Sequence, residues 1–231
     1  VNNLAVVETI LRDRRQFFQE VREGKDLTAK ARSMIVSCVG FFALYGAVMG
    51  SSHSLWQALS SAGKLPVLFI ATLMICAPTL YFFNLVLGSN QSLSQNVVLM
   101  LSGITVTAVL LLSFAPVVLF FLLTTSHYQL FKLVNVGVFA ISGCVGVAFL
   151  GQGMRIVSQG NRGGGAVRFT LVGWAWILLY AFVGSQLAWT LRPFIGAPGM
   201  TEFELFRQLG GSFYTNVLAS LGEILGFVTV R

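Results

Sequence analysis

Between Leu27 and Thr201 the chain contains no aspartate and no glutamate. Its acidic residues are Glu8, Asp13, Glu20, Glu23 and Asp26 near one end, and Glu202, Glu204 and Glu223 near the other. Charged residues make up 10% of the chain, where a soluble domain has about 25%. A water-facing surface cannot be built over so long a stretch from neutral and basic residues alone. What fills the gap is apolar: the chain is 55% hydrophobic, with a mean hydropathy of +0.79. That pattern fits a lipid-embedded body with polar ends.

Other absences narrow the function. No carboxylate lies at mid-membrane, where ion-coupled transporters place one. The two histidines, His53 and His127, form no HExxH and no Ser/His or Asp pair of an intramembrane protease. The three cysteines each fall in an apolar run, with no CxxC or Cys/His metal spacing. They read as small packing residues, and no disulfide framework is implied. The glycines Gly163–Gly165 lack the Lys-Ser/Thr and preceding strand of a phosphate loop. No internal repeat supports an inverted-repeat transporter. The start is charged and amphipathic without a cleavage site, unlike a signal peptide. It opens at Val1 rather than Met, which leaves room for residues upstream.

What is present predicts an all-α, polytopic membrane protein of about five crossings with amphipathic helices at both ends. Residues 1–32 form a cytoplasmic amphipathic helix and a basic lead-in. Residues 33–191 form the transmembrane domain, with spans at 33–50, 65–88, 97–124, 133–154 and 169–191. Residues 192–231 form a turn and amphipathic helices on the outer face. Each span is charge-free or nearly so and of a length suited to a core of about 30 Å.

Asn2–Glu23 reads as one amphipathic helix ending at Gly24, with Leu4, Val7, Leu11, Phe18 and Val21 on a stripe that Arg14 interrupts. It can lie in the membrane interface or pack on protein, and both readings stay open. Ser51–Lys64 reads as a polar connection with a short helix near Trp56. Pro66 is then expected in the first turn of span two, where a missing N–H costs little. Pro78 and Pro116 are expected kink sites. Thr201-x-x-Glu204 is a capping box opening a short helix to Leu209, and Ser212–Val230 is a last amphipathic helix.

Small residues mark candidate helix contacts. Gly46 and Gly50 form a GxxxG pair, although 24 glycines make such spacing common. Gly137, Gly143 and Gly146 fall roughly on one side of span four, which predicts a tightly packed, central helix. At the end of span five, Arg192, Pro193 and Phe194 make a rigid exit. It serves as a docking surface for a partner or as a well-made helix terminus.

Basic residues set the orientation. Arg12, Arg14, Arg15, Arg22, Lys25, Lys30 and Arg32 precede span one, and Arg155, Arg162 and Arg168 lie between spans four and five. Lys30, Arg32, Arg155, Arg162 and Arg168 are the expected lipid and topology contacts. The N-terminus is expected in the cytoplasm and the C-terminal segment outside. The net charge of +7 is thereby assigned to headgroups and orientation, and nucleic-acid binding is not expected.

Trp189–Gly199 (WTLRPFIGAPG), followed by FELFR at Phe203–Arg207 and SFYTNV at Ser212–Val217, resembles uncharacterised bacterial multi-pass membrane proteins, loosely Yip1-like in having five spans. The resemblance implies a bacterial inner (cytoplasmic) membrane, or an internal membrane derived from it. It transfers no activity to any residue.

The expectation is therefore a non-enzymatic membrane protein, an accessory or scaffold subunit packed against lipids and other membrane subunits. A transporter or channel working as an oligomer is the alternative, with Asn84, Thr105, Thr107 and Gln186 lining a path. A third reading uses His53 or His127 to hold a haem or a chlorophyll-type pigment. Otherwise no cofactor is expected.

Overall fold

In a computed structural model, residues 3–52, 54–86, 91–125, 127–158, 166–195 and 213–224 are described. They form eight α-helices: α1 (Asn3–Arg12), α2 (Arg14–Arg22), α3 (Leu27–Gly50), α4 (Leu55–Val86), α5 (Leu93–Thr124), α6 (Tyr128–Ser158), α7 (Ala166–Thr190) and α8 (Phe213–Ile224). No strand occurs among the described residues. Four helices, α3 to α6, are long and apolar enough to cross a bilayer. In α7 the described apolar portion is Trp176–Thr190.

The spanning helices are longer than their charge-free cores. At about 1.5 Å per residue, α5 alone reaches about 48 Å. The difference matters most in α4. No separate connection and short helix precede it: a single helix runs from Leu55 through Lys64, Pro66 and Pro78 to Val86. Pro66 therefore sits in the helix interior, not in its first turn. The early turns stay helical because they have tertiary partners on two sides, described below.

α5 is the central helix. It packs against α3, α4 and α6 and also meets α1 and α2. From Val98 to Ala108 every residue is buried. Span four was expected to be central because of its glycines, and the structure corrects this. α6 packs closely along α5, but Ile141 and Val145 face outward. Lipid tails are as apolar as leucine, so burial alone does not pull these helices together. Close packing and a few buried polar contacts must do it. Tyr45 of α3 supplies one, donating to Asn135 Oδ1 of α6 at 3.0 Å. Asn135 in turn donates to the Phe131 carbonyl at 2.9 Å. Phe42 and Phe69 stack between α3 and α4 with centroids 4.0 Å apart.

The N-terminal segment is two helices, not one. The chain breaks at Asp13, which N-caps α2 by accepting from the Gln16 N–H. The break re-aims the apolar face. Val6, Val7 and Ile10 are buried from α1, and Phe17, Phe18 and Val21 from α2, whereas Leu4 and Leu11 are exposed. The buried residues of both helices pack on the protein's own bundle. Phe18 lies 5.1 Å from Phe149 and covers Gly153 of α6. Gln95 at the start of α5 donates to the carbonyls of Val21 and Arg22. Those carbonyls are in the last turn of α2, and that of Val21 also accepts from the Gly24 N–H at 3.1 Å.

α8 packs at the opposite end. Lys132 donates to Asn216 at 2.9 Å, Ser220 to Gln129 at 3.0 Å, and Tyr214 and Ser185 share a hydrogen bond of 2.9 Å. The bundle thus carries α1 and α2 at one end and α8 at the other.

Candidate functional site

The exit of α7 is the most polar buried site among the described residues. Gln57, Ser61 and Lys64 recur at helical spacing on one face of α4, and all three are buried. Gln57 Nε2 donates to the Pro193 carbonyl at 2.8 Å, and Lys64 Nζ to the same oxygen at 3.3 Å. Ser61 Oγ donates to the Phe194 carbonyl at 2.7 Å. These carbonyls lie beyond the last turn of α7 and have no helical partner. α4 satisfies them from the side. The Arg192–Pro193 peptide is cis, and Pro193 is buried. The guanidinium of Arg192 lies 3.5 Å over the Trp189 ring, an attraction worth about 0.5–2 kcal/mol.

Behind this face stands α3. A Cβ added at Gly50 would lie 2.6 Å from the Gln57 carbonyl oxygen, and one at Gly46 would collide with that of Ser61. The two glycines let the α4 backbone approach α3 directly, at the very turns that hold the exit. The site is a stack: α3 glycines, α4 backbone, α4 polar side chains, then the carbonyls of Pro193 and Phe194. It latches three helices, and the exit's polar atoms are directed into the chain.

The glycines of α6 divide. A Cβ at Gly146 would run into Thr107 and lie 2.7 Å from the Gly103 carbonyl, so α5 and α6 cross there on a glycine pair. Gly137 and Gly143 have open space where a Cβ would stand and make no such contact within the chain.

Of the polar residues considered for a path, Thr105 and Thr107 are spent locally. Thr105 donates to the Leu101 carbonyl at 2.7 Å and lies 3.3 Å from Cys38 Sγ. Thr107 donates to the Gly103 carbonyl at 3.0 Å and also lies 3.3 Å from that of Ser142. Gln186 is half-buried, and its backbone carbonyl accepts from the Thr190 hydroxyl. The side chain of Asn84 lies outside the described residues. A cleft between α3, α4 and α5 is lined by apolar groups such as Ile35, Val39, Phe69 and Ile104.

His127 is exposed, just before α6, and its carbonyl accepts from the Phe131 N–H. His53 lies outside the described residues, as do Arg162, Gly163–Gly165 and the capping box at Thr201–Glu204; so do Phe203–Arg207 and the side chain of Arg168. Among the described residues no three His, Cys, Asp or Glu side chains gather as a metal site. At the α1–α2 end, Arg32 and Arg155 are exposed. Lys30 instead pairs with Glu20 at 3.1 Å and donates to the Lys25 carbonyl at 2.9 Å. The Glu20 carboxyl is held below its ordinary range, first by the Gln16 amide and then by Lys30.

The residues that sequence reasoning missed are Gln57, Ser61, Lys64 and the Tyr45–Asn135 pair. The i, i+4, i+7 spacing of the first three was visible. Their acceptor, more than a hundred residues away, was not. No protein-family model matches the chain, and no curated protein or solved structure shows significant similarity to it.

Proposed function

We propose that this protein is a non-enzymatic accessory or scaffold subunit of a larger assembly in a bacterial inner membrane. It crosses the bilayer five times, with α7 as the fifth crossing, the N-terminus in the cytoplasm and α8 on the outer side. The observation that carries the reading is the filled centre. α5 is buried without interruption from Val98 to Ala108, and its threonine hydroxyls serve carbonyls of α5 itself. Between helices, the Tyr45–Asn135 and Gln57–Pro193 bonds use polar groups to hold the bundle together. Its outward groups are apolar, with Met74, Phe82, Phe120, Leu123 and Leu178 each more than half exposed. Such a surface faces lipid or the apolar flank of another membrane subunit.

The orientation rests on charge. The α1–α2 end carries Arg14, Arg15, Arg22, Arg32 and Arg155, as expected of a cytoplasmic side. Gentle extraction from native membranes, native gel separation and identification of what co-migrates test the proposal. A stable, stoichiometric hetero-complex is the expected result. A homo-oligomer that carries solute flux in liposomes would overturn it in favour of a transporter. A visible absorption band on the purified sample would do so in favour of a pigment subunit.

A further inference from the structure

The start of α1 is placed against the charge-free run of α3. Ser37 Oγ of α3 donates to the Asn3 carbonyl at 3.2 Å. Ser37 lies five residues beyond Arg32, the last charge before the charge-free run of α3. At about 1.5 Å per residue that is about 7.5 Å into the apolar stretch. Val36 and Val39 beside it are exposed, so this level already faces lipid. The start of α1 is held against the outside of a crossing helix, below its ring of charge.

The surface of α1 is divided three ways. Val6, Val7 and Ile10 are buried against the bundle. Leu4 and Leu11, seven residues apart, form an adjoining flank that is 57% and 54% exposed. Glu8 and Arg12 follow on the next flank, paired at 3.4 Å. A helix surrounded by water gains nothing from the leucine flank. A helix at a lipid boundary needs one side for protein, one for acyl chains and one for water.

The charges nearby are complementary to anionic headgroups. Glu8, Glu20 and Glu23 are each paired with a base of this same end. Asp13 and Asp26 remain against Arg14, Arg15, Arg22, Arg32 and Arg155, all exposed. We propose that α1 is an interfacial helix, with Leu4 and Leu11 among the acyl chains of the adjacent leaflet and Arg14 and Arg15 on its anionic headgroups.

The test uses the full chain in vesicles of phosphatidylcholine with phosphatidylglycerol. Cys144→Ser removes the exposed native thiol, while Cys38 and Cys76 stay buried. Nitroxides are attached to Leu4→Cys, Leu11→Cys or Arg15→Cys, and collisions with oxygen and with a water-soluble nickel chelate are compared. Labels at 4 and 11 should favour oxygen severalfold, and the label at 15 should favour nickel. Nickel access at 4 and 11 would place α1 in water. Shielding from both reagents would place a protein over the leucines. Either result overturns the proposal. In a second measurement, Arg14→Gln with Arg15→Gln should lower the preference for spin-labelled phosphatidylglycerol over phosphatidylcholine about twofold. An unchanged preference removes the headgroup contact.

Discussion

The side-chain amide of Gln57 donates to the carbonyl of Pro193 at 2.8 Å, tying the first turns of α4 to the residue just beyond α7. Both groups are buried, so the bond cannot be exchanged for one to water. Gln57→Ala leaves one of the two donors to that oxygen, Lys64 at 3.3 Å. Thermal unfolding in detergent should show a loss of about 1–2 kcal/mol, and Ser61→Ala combined with it should cost more. If Gln57→Ala unfolds with the wild type, the latch contributes nothing to stability.

Gly50 of α3 should respond to substitution oppositely to Gly137 and Gly143 of α6. At Gly50 the nearest atoms are backbone of α4, the Gln57 oxygen at 2.6 Å from an added Cβ. Gly50→Leu must push the helices apart, at about 1–3 kcal/mol or more. Gly137 and Gly143 face open space. Alanine there should be neutral or up to about 1 kcal/mol stabilising through helix propensity. Denaturant titration of the purified protein measures both, and equal effects at Gly50 and Gly143 would contradict the packing described.

Tyr45 and Asn135 form a buried polar pair between α3 and α6. Tyr45→Phe removes the donor and strands Asn135 Oδ1, with an expected cost of about 1–2 kcal/mol. Tyr45→Phe with Asn135→Leu removes both partners and should recover part of that loss. A thermal-melt double-mutant cycle reads the coupling, and strict additivity would show that the two do not interact.

Acid should loosen α2. The Glu20 carboxyl has its pKa lowered from about 4.5, by Gln16 first and Lys30 next. A lowered folded-state pKa gives stability that is fully present above the unfolded value and lost as pH falls through the folded one. Amide protection factors across residues 14–22, with the intrinsic pH dependence of exchange divided out, should therefore fall as pH drops below the ordinary glutamate range. Glu20→Gln should flatten that step, and a step of equal size in the variant would assign the acid sensitivity elsewhere.

The body of the fold was legible because lipid imposes one rule on every crossing segment. Backbone groups must pair within the helix and side chains must be apolar, so Ser33–Gly50 or Val97–Thr124 announces itself without reference to any other segment. Helix ends were less legible. Leu55–Lys64 carries Gln, Ser, Gly and Lys, the composition of a connection. It is helical where Gly46 and Gly50 admit its backbone and where Pro193 and Phe194 accept its side chains. A local pattern holds no record of either contact.

The glycines teach the same lesson. Gly46, Gly50, Gly143 and Gly146 look alike in sequence, yet Gly143 has open space while the other three meet backbone of a neighbouring helix. The stripe of the N-terminal segment was misread for a related reason. One turn at Asp13 changed the facing of everything before it, leaving Leu4 and Leu11 outside and Val6 and Ile10 inside.

By itself the sequence determined that this is a helical membrane protein with polar ends, because absence of charge is a property each residue carries alone. Only the tertiary structure decided that α5 is central, which glycines are contacts and that the exit of α7 is held by α4. Those are properties of pairs of residues distant along the chain, and apolar periodicity is the same on every face that meets lipid or protein.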